Sequence, residues 1–283
     1  MKIIECPRDA MQGLSAFIPT ADKVRYINQL LKVGFDTIDF GSFVSAKAIP
    51  QLHDTVQVLN ELDLSASKTK LLAIVANVRG AQEASRFATI SYLGFPLSLS
   101  ETFQRRNTNK SIAEALDIIE EIQNICVRTN KKLVAYISMG FGNPYHDPYD
   151  VTVVSQFVEI LITLGSEIIS IADTIGVSNP ESIHLLFSSL LKDNPKIEIG
   201  AHLHSNPFKS IEKIEAAYRA GCKRFDGAIN GLGGCPMAED ELVGNLATET
   251  ILSFMEANGE KPELNKAEFA KSLTMAAEIF PKH

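Results

Sequence analysis

Two histidines one residue apart, in Ala201-His202-Leu203-His204, are the sharpest chemical feature of the sequence. They stand at the end of a predicted strand, where side chains two apart point to the same face. Both imidazoles can therefore converge on one cation without distorting the backbone. The same pair could instead hydrogen-bond to neighbouring loops, and the spacing alone does not choose. Two imidazoles do not complete a coordination sphere. Oxygen ligands must help fill it, and water must leave room for a substrate. Asp9, which ends the first predicted strand, is one oxygen donor, and Asn245, after Gly244, is another. Asn245 would also be accounted for as a helix N-cap.

Arg8 precedes Asp9. It is either half of a buried ion pair or an always-charged donor fork aimed at a developing oxyanion. Gly231-Leu232-Gly233-Gly234-Cys235-Pro236 is a glycine-rich loop with one thiol. Its glycines allow backbone shapes that other residues resist. Cys235 is then either a proton-exchanging group brought over a site or an incidental thiol. The loop lacks the Gly-Lys-Ser/Thr ending of a phosphate-binding P-loop. Glu5, Asp39 and Asp173 are acids in or at strands, suited to pairing with Arg8 or supporting a ligand. Cys6 and Cys126 read as core residues.

The elements that must position these groups alternate. β-branched runs at 3–7, 37–43, 70–77, 89–94, 132–138, 168–173, 198–204 and 224–230 are each followed by a helical periodicity. Most of the runs are continuously apolar rather than alternating, as suits parallel strands buried on both faces. Eight such pairs make a closed (β/α)8 TIM barrel. An open doubly wound sheet would call for a Gly-x-Gly-x-x-Gly after the first strand, and there is none. Polar residues gather at the strands' C-terminal ends, the end that carries barrel active sites: Arg8-Asp9, Ser42, Asn77, Ser138, Asp173-Thr174, His202-x-His204 and Asn230. Ser111 with Glu114 forms a capping box. Asn179-Pro180 and Asn206-Pro207 start helices. A terminal helix, about 265–280, begins at Asn265 with Glu268 completing another box, after a short hinge at 258–264. No linker is visible, so residues 1–283 read as one domain.

The chain has 283 residues, 45% hydrophobic and 22% charged, with net charge −7. That composition excludes a disordered chain and a disulfide-stapled miniprotein, and it disfavours nucleic-acid partners and an anionic membrane surface. Four cysteines without a Cys-x-x-Cys pair read as free thiols in a reducing compartment. No apolar run reaches membrane-spanning length. A strand beginning almost at Met1, with Glu5, Arg8 and Asp9 close behind, argues against a signal peptide. A cytoplasmic protein is expected.

Taken together, the motifs resemble the 3-hydroxy-3-methylglutaryl-CoA lyases, a family of the metal-dependent pyruvate-carboxylase-like barrels. The resemblance runs from Ile4 to about Met255. It rests on Glu5-x-Pro7-Arg8-Asp9 with Gln12, Gly41-Ser42-Phe43-Val44-Ser45-x-Lys47 with Pro50-Gln51, Asn77, and Tyr136-Ile137-Ser138. It continues through Asp173-Thr174-Ile175-Gly176-Val177, His202-x-His204, the Cys235 loop and Gly244-Asn245-Leu246-Ala247-Thr248-Glu249. The last two stretches are the specific part, because Arg-Asp and His-x-His recur in related aldolases and synthases.

The resemblance implies a divalent cation, Mg²⁺ or Mn²⁺, held by Asp9, His202, His204 and Asn245; coordination preference also admits Zn²⁺. It implies retro-Claisen cleavage of an acyl-CoA to acetyl-CoA and acetoacetate. Asp9 or His202 would act as base, Arg8 at the thioester oxygen and Cys235 as acid. The substrate pocket would draw on Arg8, Gln12, Asp39, Ser42, Asn77, Ser138, Thr174 and Gly234. A homodimer or higher homo-oligomer is expected by fold-level analogy.

Several positions depart from the family pattern: Ala10-Met11, Ser205-Asn206-Pro207 after the histidines, Met139 to Pro144, and Asp39 where a glutamate is usual. Asp39 is one methylene shorter, so its contact to Arg8 must be lost or remade. The departures touch the substrate pocket more than the ligand set. The sequence admits two other readings. One is a lyase or aldolase acting on a different 3-hydroxyacyl-CoA or a 2-keto acid. The other is a silent barrel that binds metal or CoA.

Overall fold

The computed structural model describes residues 1–234 and 243–280. Eight parallel strands close into a barrel in chain order. They are β1 (Lys2–Glu5), β2 (Thr37–Ser42), β3 (Lys70–Ile74), β4 (Ile90–Ser98), β5 (Lys132–Ser138), β6 (Ile168–Asp173), β7 (Glu198–Leu203) and β8 (Arg224–Gly227). Closure is made by β8 on β1, with Lys2 opposite Arg224 and Glu5 opposite Gly227. The fold is the expected TIM barrel.

The helices in chain order are α1 (Pro7–Gln12), α2 (Thr20–Leu31), α3 (Thr55–Asn60), α4 (Val78–Ser85), α5 (Glu101–Thr108) and α6 (Ile112–Arg128). They continue with α7 (Val151–Thr163), α8 (Pro180–Asp193), α9 (Ser210–Arg219), α10 (Thr248–Ala257) and the terminal α11 (Lys266–Ile279). Among the described residues, no helix is long and apolar enough to cross a membrane.

Strand ends differ from the sequence reading where proline and polar turns intervene. β1 stops at Glu5 because Pro7 has no N–H for a ladder and its fixed φ suits the first position of a helix. Arg8 and Asp9 therefore ride on α1 rather than on a strand. β3 stops at Ile74, β7 at Leu203 and β8 at Gly227, while β4 runs on to Ser98. Beyond Gly94, β4 pairs with β5 alone, which lets the strand carry Pro96.

The Ser111–Glu114 capping box forms on α6, and Asn179 caps α8 ahead of Pro180. Asn206-Pro207 opens a short 3-10 turn rather than α9 itself. Asn265 caps α11, but the expected box does not close. The Glu268 carboxylate instead accepts from Gln29 Nε2 at 2.8 Å, which ties α11 to α2. Tyr26 against Phe280 and Phe35 against Phe269, with ring centroids 5.6 and 6.2 Å apart, complete that docking.

Candidate active site

The site grows from one helical turn. α1 is short, but residues four apart on it share a face. Arg8 Nη1 donates to Asp9 Oδ1 at 2.7 Å and to Gln12 Oε1 at 3.0 Å. Gln12 Nε2 donates to the same Asp9 oxygen at 3.0 Å. Asp39, at 0% exposure on β2, takes the other side of the guanidinium, accepting from Nε at 3.0 Å and from Nη2. The shorter acid thus reaches Arg8 after all. These bonds occupy four of Arg8's five N–H groups; the fifth, on Nη2, has no protein partner among the described residues.

Burial opposes charge on Asp9, but the Arg8 guanidinium, both imidazoles and the Asn245 amide outweigh it and bring the carboxyl down to about 2. Burial pushes Asp39 up to about 6 against the pull of Arg8, so it stays ionised at neutral pH.

The two histidines arrive from β7. His202 is its penultimate residue, His204 lies just past its end, and their ring centroids are 5.3 Å apart. Pairing of His204 with Asn245 extends β7 by a two-residue antiparallel bridge, with Ser205 N donating to Gly244 O and Leu246 N to Leu203 O. That bridge carries Asn245 into the site. The helix cap it could have been is Ala247 instead. Asn245 Nδ2 donates to Asp9 Oδ2 at 2.7 Å and to Leu232 O at 2.9 Å, which leaves its carbonyl oxygen to serve as a donor atom for a cation.

Ligand atoms of Asp9, His202 and His204 all lie within 4.8 Å of one another. The chemistry of this set fits a divalent cation: an ionised carboxylate, two imidazoles and a nearby amide oxygen. His204 Nδ1 is buried without a hydrogen-bond partner among the described residues. Burial and the neighbouring His202 bring His204 down to about 4, so its imidazole is neutral, the form that binds metal. Burial alone would lower His202, yet the hydrogen bond to Asp226 and the charges of Asp226 and Asp9 raise it. Cys6, His202 and Asp226 form a second close group. Burial and three nearby carboxylates push the Cys6 thiol well up, so it remains a protonated core residue.

The cluster faces a cavity of about 330 Å³. Arg8, Asp9, Gln12, Ser138, Thr174, His202 and His204 line it, as does Tyr136, whose ring stands edge-on to His202. Residues 106–108, at the end of α5, reach its wall. The other expected pocket residues do not line it. Ser42 Oγ accepts from Val44 N in a turn, and Asn77 is an exposed N-cap accepting from Gly80 N. Asn230 lies in a 3-10 turn with φ of 61°. Asp173 accepts from Val177 N, Ser178 and Lys213 Nζ, holding the loop that carries Thr174.

Residues 2–275 match the HMGL-like family. The chain belongs to the HMGL-like family. It is 36% identical over 250 residues to hydroxymethylglutaryl-CoA lyase YngG of Bacillus subtilis, covering 88% of this chain and 83% of that one. The HMG-CoA lyase of Brucella melitensis superposes with a TM-score of 0.91 at 28% identity, over 98% of this chain and 97% of that one. An HMG-CoA lyase from Acinetobacter baumannii, solved with coenzyme A and 3-methylmalate, gives 0.90 at 30% identity, over 99% and 91%.

In this HMGL-like chain Cys235 lies outside the described residues. Gly234 is the last described residue before it, with φ of 143°, and it does not line the cavity. Sequence reasoning missed Asp226, which holds His202, and Tyr136 as a wall of the cavity. The signal for Asp226 was present: an acid inside the predicted last strand, at the alternation that points inward beside the histidine strand.

Proposed function

We propose that this HMGL-like chain is a metal-dependent carbon–carbon lyase that cleaves 3-hydroxy-3-methylglutaryl-CoA to acetyl-CoA and acetoacetate. The observation that carries the reading is the convergence of Asp9, His202 and His204 within 4.8 Å, at a cavity that Arg8 also lines. Curated relatives with hydroxymethylglutaryl-CoA lyase names support it, as does a neighbour solved with coenzyme A.

Asp9, His202, His204 and Asn245 would hold the cation, Mg²⁺ or Mn²⁺ by the oxygen share of the set, with Zn²⁺ compatible with two imidazoles. When bound, such an ion supplies charge that acidifies the substrate's C3 hydroxyl. Asp9 or His202 would take the hydroxyl proton, His202 only where its Nε2 is not held by the cation. The C2–C3 bond then breaks, the C3 oxygen becomes the ketone of acetoacetate, and the electron pair of the bond passes to the thioester carbonyl. Arg8 meets the charge on that oxygen with its remaining Nη2 hydrogen. Asp39, Asp9 and Gln12 hold the guanidinium in one orientation, so the donor is set before charge develops. Cys235, which the glycines at 231, 233 and 234 lead into, is assigned from the sequence as the acid that protonates C2.

The test is a discontinuous assay of the purified protein on 3-hydroxy-3-methylglutaryl-CoA with Mg²⁺, with Mn²⁺ and after chelation, products identified by mass. Metal-dependent release of acetyl-CoA and acetoacetate is expected. Folded protein that binds the cation but releases neither product would overturn the substrate assignment.

A further inference from the structure

His202 has a neighbour that the proposed reaction does not employ. Its Nδ1 lies 3.1 Å from Oδ2 of Asp226, a buried residue of β8. The barrel dictates this pairing. Ala201 is opposite Phe225, so the next residues, His202 and Asp226, stand level, and strand alternation turns both toward the barrel interior.

Asp226 is itself backed by a charge. Arg224, two residues earlier on the same face, places Nε 4.0 Å from Asp226 Oδ1. That gap is too long for a direct hydrogen bond, so the two groups act on each other through their opposite charges. Neither atom has a hydrogen-bond partner among the described residues. Arg224 Nη1 donates to Glu198 Oε1 at 3.0 Å, and Glu198 Oε2 pairs with Lys2. Lys2, Glu198, Arg224 and Asp226 thus form a column of alternating charge that runs from the N-terminal end of the barrel to His202. Gly200 makes room for it, because a Cβ there would sit 2.7 Å from Arg224 Cδ.

We propose that Asp226, steadied by Arg224, is the positioning residue for His202: it accepts a hydrogen bond from Nδ1–H and so leaves Nε2 as the nitrogen presented to the cation. A neutral imidazole donates through one nitrogen and accepts through the other. A carboxylate at Nδ1 therefore selects a single tautomer and fixes the ring's orientation. With His202 above and Arg224 below, each carboxylate oxygen has its own attractor and the group is held against rotation. The consequence for metal affinity rests on the metal reading given above; the choice of tautomer does not.

Two measurements separate these. ¹⁵N NMR of the full-length protein, without metal at a pH high enough for a neutral imidazole and with Mg²⁺, reports the His202 tautomer, assigned by the signals lost in His202→Gln. Nδ1–H with an unprotonated Nε2 is expected, and an Nε2–H tautomer overturns the proposal. Mn²⁺ titration followed by electron paramagnetic resonance compares wild type with Asp226→Asn, with folding checked by circular dichroism. Binding about 10–100-fold weaker is expected, and equal affinity in a folded variant also overturns it. Should wild type bind no Mn²⁺, the metal reading falls. In that case, or if Asp226→Asn does not fold, the wild-type tautomer decides the proposal alone.

Discussion

Asn245 and Asp9, 236 positions apart in the chain, are joined by a 2.7 Å hydrogen bond from the asparagine amide to the carboxylate. The bond spans the closure of the barrel and draws the segment after the glycine loop onto α1. Replacing Asn245 with alanine removes both a proposed cation ligand and one of the groups that orient Asp9. Asn245→Ala is expected to bind Mn²⁺ at least about 10-fold more weakly in a calorimetric titration. Wild-type affinity would remove Asn245 from the ligand set.

The Arg8–Asp39 pair has a different consequence, because both partners are buried. Asp39→Ala strands a guanidinium that has lost its bidentate acceptor, at a cost of about 3–5 kcal/mol in urea unfolding. Asp39→Glu keeps the charge and is expected to retain more of that stability. Turnover in Asp39→Ala falls as well, since Arg8 is no longer held toward the cavity. A loss below about 1 kcal/mol would show that Asp9 and Gln12 suffice to hold Arg8.

Glu5 governs a pH dependence. It is 0% exposed and accepts from Thr248 Oγ1 at 2.6 Å and Ile229 N at 3.0 Å. Burial, only partly countered by those bonds, raises its pKa from 4.5 to about 8. The folded protein therefore holds this proton where the unfolded chain has released it. The associated stability is fully present below the unfolded pKa and falls as pH rises from about 4.5 to about 8, by at most about 1.4 kcal/mol per unit. Above that window both states are ionised and the slope vanishes. Glu5→Gln cannot ionise, so chemical denaturation of wild type and variant across pH 5–8 is expected to show a steeper decline in wild type. Parallel curves would refute the assignment.

Gly233 has φ of 97°, and a Cβ on it would lie 2.7 Å from Asn245 Nδ2 and 2.9 Å from Asp9 O. Gly233→Ala combines a disfavoured backbone conformation with a collision against two residues of the proposed cation site. The damage is expected to be local: weaker Mn²⁺ binding and lower turnover, with a melting temperature close to wild type. A variant that binds Mn²⁺ normally would show that the loop yields without disturbing the ligands.

Cys235→Ala separates proton delivery from metal binding. Turnover is expected to fall by about 10²–10⁴-fold, the range associated with a positioned general acid, while Mn²⁺ stoichiometry and affinity hold. Undiminished turnover would withdraw the acid role.

Much of the fold was legible in the chain because its signals are local. The strand core at 132–138 and the Ser111–Glu114 box depend only on neighbouring residues, and the structure reproduces both. The Asn265–Glu268 box was equally local in appearance. The Glu268 carboxylate is taken instead by Gln29, far away in sequence, and by Lys271 on the same helix. Asn77, a polar residue near a strand end read as part of the pocket, has its side-chain oxygen capping α4.

The sequence by itself determined the residue types of the site, the alternation that turns His202 and His204 to one face, and the number of strands needed to close a barrel. Residue type and strand period are written in the order of the chain. Only the tertiary structure decided the partners. Arg8 could have paired with Glu5, Asp39 or Asp173, and it meets Asp39 because β2 lies beside β1. Asp226 reaches His202 because β7 and β8 are level at Ala201 and Phe225. Register and barrel closure are set by packing summed over the whole molecule, so the contacts they create between distant residues have no local signature.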